Sequence, residues 1–273
     1  MNGFRSSGLG AVPPVVKNLI LLNVILLLAD FALKEAFGTN LTRVLGLHYF
    51  ESEYFRPYQF VTHMFMHGGL AHLFFNMFAL WMFGRVLESV WGPKRFLVYY
   101  FVTGLGAAVL HTFVNWIELS SLVKDVSAFA VSPSPELFAG FVRDHVNSPT
   151  PQLYNFINSW TFNPNNSNYI REAIEFTRQV LEMNIDIPTV GASGAVFGIL
   201  LAFGMLFPNT KLMLLFPPIP MKAKYFVIGY GVLEIYLAFS QPGSNIAHFA
   251  HIGGMLFGFI LIKYWKKGRS NFY

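Results

Sequence analysis

Four apolar stretches of this sequence run for more than twenty residues without a charged side chain: residues 57–84, 96–117, 187–210 and 235–262. About 20 apolar residues in a helix cross the ~30 Å hydrocarbon layer of a bilayer. Two further apolar stretches, 15–37 and 223–239, are interrupted by charges, among them Asp30 in the first and Lys224 and Glu234 in the second. Taken together they predict six spans, at about 15–37, 69–91, 95–117, 191–207, 223–239 and 246–265. Composition agrees. Charged residues make up 12% of the 273, against ~25% in soluble proteins, while 54% are hydrophobic and 17% aromatic. The expected fold class is an all-α polytopic membrane protein. The chain has no cysteine, which excludes disulfides, thiolate zinc sites and a cysteine nucleophile.

The charges choose an orientation. With the N-terminal side of the first span in the cytoplasm, the inner segments carry twelve Lys and Arg against one acid, Glu88, and the outer segments seven against eleven acids. The positive-inside rule selects this orientation, with both termini cytoplasmic. The net charge of +5 is therefore read as a topology signal, not as a nucleic-acid surface. The first apolar run is read as a retained span and not a signal peptide, because it is long, contains Asp30 and is followed by no small-residue cleavage site. With no organellar targeting segment seen, a bacterial cytoplasmic membrane is the expected location.

Two outer segments are long. Residues 38–68 contain the aromatic run Tyr49 to Phe55, which suits the membrane interface. Residues 118–188 are rich in Ser, Pro and Asn and end in a helical pattern, with Ile170, Ile174, Thr177 and Leu181 at helix spacing and Asn168 as its expected cap. The expected organisation is 1–117 with the first three spans and their interfacial loop, 118–188 as an extramembrane insertion, and 189–273 with the last three spans.

Polar groups inside a membrane are costly and mark function by default. They concentrate in three places: His63, His67, His72 and Asn76; Gly191-Ala192-Ser193-Gly194; and His248 to Gly254. His72 and Asn76, four apart, share a helix face. In the predicted topology the second, fourth and sixth spans all run inward, so His72, Ser193 and His251 lie near ends at the same membrane face. The chemistry that fits is acyl transfer. A serine needs a neighbouring base to become nucleophilic, and histidine is the usual one. Free backbone N–H groups at the helix start of Ser193, the Asn76 amide and a ring N–H of His72 can stabilise an oxyanion. Gly191 and Gly194 permit close approach. Gly194, Gly198 and Ala202, and Gly254 and Gly258, fall four apart and allow helix backbones to touch.

These motifs resemble the rhomboid family of intramembrane serine proteases. The matching pieces are His72-x3-Asn76, Gly191-x-Ser193-Gly194, Ala250-His251 with Gly254-x3-Gly258, and Gly84-x3-Glu88-x3-Gly92. The resemblance covers all six spans and implies a six-helix rhomboid-like bundle, with 118–188 inserted between the third and fourth spans. It implies a Ser–His dyad without a catalytic Asp. Ser193 would be the nucleophile, His251 the base, and His72, Asn76 and the Ser193 N–H the oxyanion hole. Gly191 would shape the approach. It further implies transmembrane protein substrates, the lipid bilayer as medium, no nucleic acid and neither metal nor cofactor. Three departures stand out: Phe55-Arg56 where a Trp-Arg pair is common, Phe197 where a Tyr often packs on the histidine, and the length of 118–188.

Other readings compete. His248, one turn before His251, is an alternative base. His63 with His67, and His248 with His251, have spacings that suit metal chelation, although no Asp or Glu falls within either cluster. A rhomboid-like protein that binds transmembrane helices without cleaving them is the third class. Asp30 and Glu234 are read as bonded to neighbouring helices or near an interface, and His111 as a structural group. Because the chain lacks cysteine, the orientation is open to a clean test. A membrane-impermeant maleimide on sealed cells should label Arg178→Cys from outside and Lys211→Cys only after permeabilisation; the reverse pattern would invert the topology.

Overall fold

A computed structural model of the chain describes residues 12–213, 220–240 and 247–267. Arg5, Arg269 and the expected start of the sixth span at residue 246 lie outside the described residues. Helices occupy each of the six predicted windows: Pro14–Phe37, Leu70–Trp91, Pro93–Val131, Ser193–Leu206, Ala223–Ser240 and His248–Lys267. The first three are long and apolar enough to cross a membrane, and Ser193–Leu206 is a shorter apolar helix. The last two carry Lys224 and Glu234, and His248, His251 and Lys263, which dilute their hydropathy. The outward sides of the helices are apolar. Leu21, Leu22, Ile25, Leu28 and Phe31 of the first helix are exposed, as a lipid-facing surface requires. The chain is an all-α integral membrane protein in class, with one small addition among the described residues: strand Lys211–Met213 pairs antiparallel with Pro220–Lys222.

The helix boundaries follow from local chemistry. Pro14 opens the first helix, where its missing N–H costs nothing, and Gly38 closes it with a left-handed φ of 67°. No side chain of its own caps that start. Glu88 does so from the second helix, accepting the Val15 N–H at 3.0 Å and the Val16 N–H at 2.8 Å. At the other end Asp30 accepts the Leu41 N–H at 2.7 Å and the Thr42 N–H at 3.2 Å, capping the short helix Leu41–Leu45. The second helix passes through a π turn at Leu80–Gly84. The third corrects the expected end at residue 117: it continues to Val131. Glu118, Lys124 and Asp125 end the apolar window but are compatible with a helix, and the stop comes only before Pro133.

The chain forms two compact units. The first comprises residues 1–47, 56–112 and 188–273, the second 48–55 and 113–187. The second holds its own core, in which Phe129, Phe138, Val142, Trp160 and Ala173 are buried together. Its helix Ser167–Ile185 presents Ala173 and Thr177 inward. The expected cap is corrected by two positions. Asn166 caps the helix by accepting the Asn168 N–H, while the Asn168 side chain accepts from Arg171.

In the first unit the core draws on all six helices and takes in Leu27, Met64, Leu80, Tyr99, Ile199, Val227 and Ile262. Its tightest crossing joins Ser193–Leu206 to His248–Lys267. A Cβ at Gly254 would run into the Gly194 carbonyl, and one at Gly194 into Ala107. Lower down, a Cβ at Gly198 would come 2.6 Å from Thr103, and one at Gly258 would strike the Tyr99 hydroxyl. That hydroxyl donates to the Gly198 carbonyl at 2.8 Å. Gly194, Gly254 and Gly258 are therefore packing positions, and the obstacle at Gly254 is backbone that cannot rotate away. Gly254→Ala should destabilise by about 1–3 kcal/mol or more. Gly229→Ala, in a helix with open space at that position, should be neutral or stabilise by up to ~1 kcal/mol. Unfolding in mixed micelles would measure both; equal effects would contradict the crossing.

Candidate active site

Ser193 is the first residue of its helix, preceded by Gly191 at φ 129° and Ala192. The first hydrogen bond of that helix runs from the Val196 N–H to the Ala192 carbonyl, which leaves the N–H groups of Ser193, Gly194 and Ala195 without partners inside the helix. The approach is anchored, since the Gly191 N–H donates to the His63 carbonyl at 2.9 Å. His63 is in turn fixed by a bond from its Nδ1 to the Gln59 carbonyl at 2.9 Å. His251, one turn into the last helix, faces Ser193 with its Nε2 2.9 Å from Oγ. Phe197, one turn beyond Ser193, stacks on the His251 ring with centroids 4.1 Å apart and planes 8° from parallel. Tyr230 stacks on Phe197 in turn, at 5.3 Å.

His72 approaches from the second helix. Its Nδ1 accepts the Gly68 N–H at 3.3 Å, so in the neutral ring the proton sits on Nε2. That Nε2 lies 2.9 Å, and Ser193 Oγ 3.6 Å, from the point a Cβ of Gly191 would occupy. His72 Nε2 and Ser193 Oγ thus both border the space that the missing side chain of Gly191 leaves open. Asn76 is buried one turn on and donates to the His72 carbonyl at 3.1 Å; its amide has a second N–H. A narrow recess opens beside Ser193, lined by small residues that include Gly104, Ala107, Ala108 and Ala195.

The remaining histidines separate. His67 packs edge-on against His72 at 5.0 Å, and neither of its ring nitrogens has a partner among the described residues. His111 Nε2 is 2.9 Å from the Thr189 hydroxyl. His248 does not face Ser193; its Nδ1 lies 2.7 Å from Glu234 Oε2. His251 Nδ1 lies 2.9 Å from the same oxygen. Glu234 is the residue that sequence reasoning left outside the site, as a group bonded to a neighbouring helix. It lies six residues before the end of its helix at Ser240, and His251 lies three residues after the start of the next helix. Glu234, His248 and His251 each offer a ligand atom within 4.8 Å of the others. Zinc accepts such a donor set, but both imidazoles are already at hydrogen-bond distance from the carboxylate. His63 and His67 do not join that cluster.

Chains with this pattern are known. Residues 54–118 and 152–267 match the Rhomboid domain. The chain belongs to the rhomboid family. This rhomboid is 28% identical over 219 residues to RHOMBOID-like protein 12, mitochondrial, of Arabidopsis thaliana, covering 80% of this chain and 49% of the relative. It is 28% identical over 225 residues to a mitochondrial rhomboid protein of Schizosaccharomyces pombe, covering 78% of this chain and 52% of the relative. A 52-residue segment is 36% identical to the Rhomboid protease GluP of Bacillus subtilis, covering 19% of this chain and 10% of that protein. The rhomboid described here thus spans about half the length of the two mitochondrial relatives.

Proposed function

We propose that this rhomboid is an intramembrane serine endopeptidase that cleaves transmembrane segments of other membrane proteins. The observation that carries the reading is the 2.9 Å hydrogen bond from Ser193 Oγ to His251 Nε2, set among apolar helices. A polar pair has little reason to be in such a place unless it reacts.

In this reading Ser193 Oγ attacks the scissile carbonyl while its proton passes to His251 Nε2. The carbonyl oxygen becomes an anion. In this reading it is held by the Ser193 N–H, the His72 Nε2–H and the second N–H of the Asn76 amide; of these, His72 Nε2 borders the space that Gly191 leaves open. The C–N bond then breaks as His251 returns the proton to the leaving amine. Water, activated by the same imidazole, releases the acyl-enzyme. Phe197 holds the His251 ring plane by stacking and needs no hydroxyl to do so. The small-residue lining of the recess suits substrates with small side chains at the cut. No step calls for a metal or cofactor.

The name of the Bacillus relative supports the protease reading, and the words of the other two names bear on location. The expected bacterial cytoplasmic membrane gains no support from relatives named mitochondrial. We place the protein in a bilayer with the Ser193 end of its helix at the outer, acid-rich face, as the charge pattern indicates.

Reconstituted protein should cleave a fluorogenic transmembrane peptide in proteoliposomes. Ser193→Ala and His251→Ala should each abolish cleavage without loss of the folded state, and Asn76→Ala should lower the rate about 10²–10³-fold, as expected for one oxyanion donor. Normal turnover by either of the first two would refute the assignment. Substrate binding by wild type without any cleavage would establish a helix-binding rhomboid instead.

A further inference from the structure

The resemblance implies a serine and a histidine acting alone, yet a carboxylate stands behind the histidine here. Glu234 is 5% exposed, His248 4% and His251 9%. An ionised carboxylate can only accept hydrogen bonds. Oε2 at 2.7 Å from one Nδ1 and 2.9 Å from the other therefore takes an N–H from each ring. For His251 this has a direct consequence. With its proton held on Nδ1, the neutral ring keeps its lone pair on Nε2, the atom that faces Ser193 Oγ. Without a partner at Nδ1, either nitrogen could carry the proton, and the Nε2–H form cannot accept one from serine.

We infer that Glu234 is a positioning residue completing a Ser193–His251–Glu234 series of hydrogen bonds, with His248 clamping the same carboxylate oxygen. The inference rests on the proposed peptidase reading and deepens it. During attack one proton moves, from Ser193 Oγ to His251 Nε2. The His251 Nδ1–H stays where it is, Glu234 takes up no proton, and its negative charge faces the imidazolium that forms. Outside water that charge is worth more than at a surface. His248 has a different part. Its Nε2 is buried and has no partner among the described residues, so the series ends there. His248 fixes the carboxylate between the last two helices without touching the serine. Tyr230, one turn before Glu234, stacks on Phe197 and closes the other side.

The test uses the full chain in proteoliposomes with the transmembrane peptide substrate, comparing wild type, Glu234→Gln, Glu234→Asp, His248→Asn and Ser193→Ala. Glu234→Gln should lower kcat by about 10²–10⁴-fold, the range for losing support of a general base. KM should stay within about threefold and the unfolding midpoint near that of wild type. Glu234→Asp should recover part of kcat, and His248→Asn should stay within about tenfold of wild type. Wild-type kcat in Glu234→Gln would overturn the inference. So would a loss confined to KM, or a loss that tracks unfolding equally in Glu234→Gln and His248→Asn. Activity removed by a chelator and restored by zinc would overturn it in favour of a metal on the same three side chains. A second readout stands apart from turnover. Histidine-selective ¹⁵N NMR should find the His251 proton on Nδ1 in the wild type, and an Nε2–H ring would also overturn it. If wild type cleaves nothing while His251 carries its proton on Nδ1, the peptidase reading fails and the hydrogen-bonding role of Glu234 stands.

Discussion

Where the helices Ser193–Leu206 and His248–Lys267 cross, no side chain separates them: the Gly254 backbone lies against the Gly194 carbonyl. Everything at the candidate site depends on that contact. It brings the first turn of one helix beside the first turn of the other, and so sets Ser193 Oγ at 2.9 Å from His251 Nε2. A single methyl between the backbones would move both side chains by more than a hydrogen bond tolerates. The third helix holds the pair from behind. Tyr99 bonds the Gly198 carbonyl, and Thr103 and Ala107 fill the positions that glycine leaves open.

Among the described residues three acids are buried in the membrane unit, and each is satisfied by N–H donors. Glu88 caps the start of the first helix, and Asp30 caps the short helix that follows it. These bonds satisfy N–H donors that a helix start leaves unpaired, so both residues serve the fold. Glu234 takes its donors from two imidazoles, one of which faces the serine. An unpaired carboxylate in such surroundings would be prohibitively unfavourable. The partner of each acid therefore identifies its task. The aromatic rings complete the arrangement: His251, Phe197, Tyr230 and Phe226 stack in sequence, so the base is held by its ring plane as well as by its nitrogens.

Much of this was legible in the sequence. Charge-free windows marked the helices because hydrocarbon tolerates little else. Glycines four apart marked the crossings, and the spacing of His72 to Asn76 and the Gly-Ala-Ser-Gly motif marked the polar residues. Other features were not, for physical reasons. The third helix outruns its window because hydropathy reports the membrane and not the helix. The cap at Asn166 stands beside two other asparagines, and local sequence does not choose among them. Residues 48–55 join the second compact unit, and no periodicity signals so distant a pairing. Glu234 was read only as a group bonded to a neighbouring helix or near an interface, because a lone acid in an apolar run has no motif. Its meaning lies in the two histidines of the next helix that share its carboxylate oxygen.

The central claim is that Ser193 is an activated nucleophile, and covalent trapping tests it most directly. Protein purified in detergent would be treated with a fluorophosphonate and the modified peptide sequenced by mass spectrometry. A single adduct on Ser193, absent from His251→Ala, is the predicted result. An adduct on another residue, or none on folded protein that still cleaves its substrate, would contradict it.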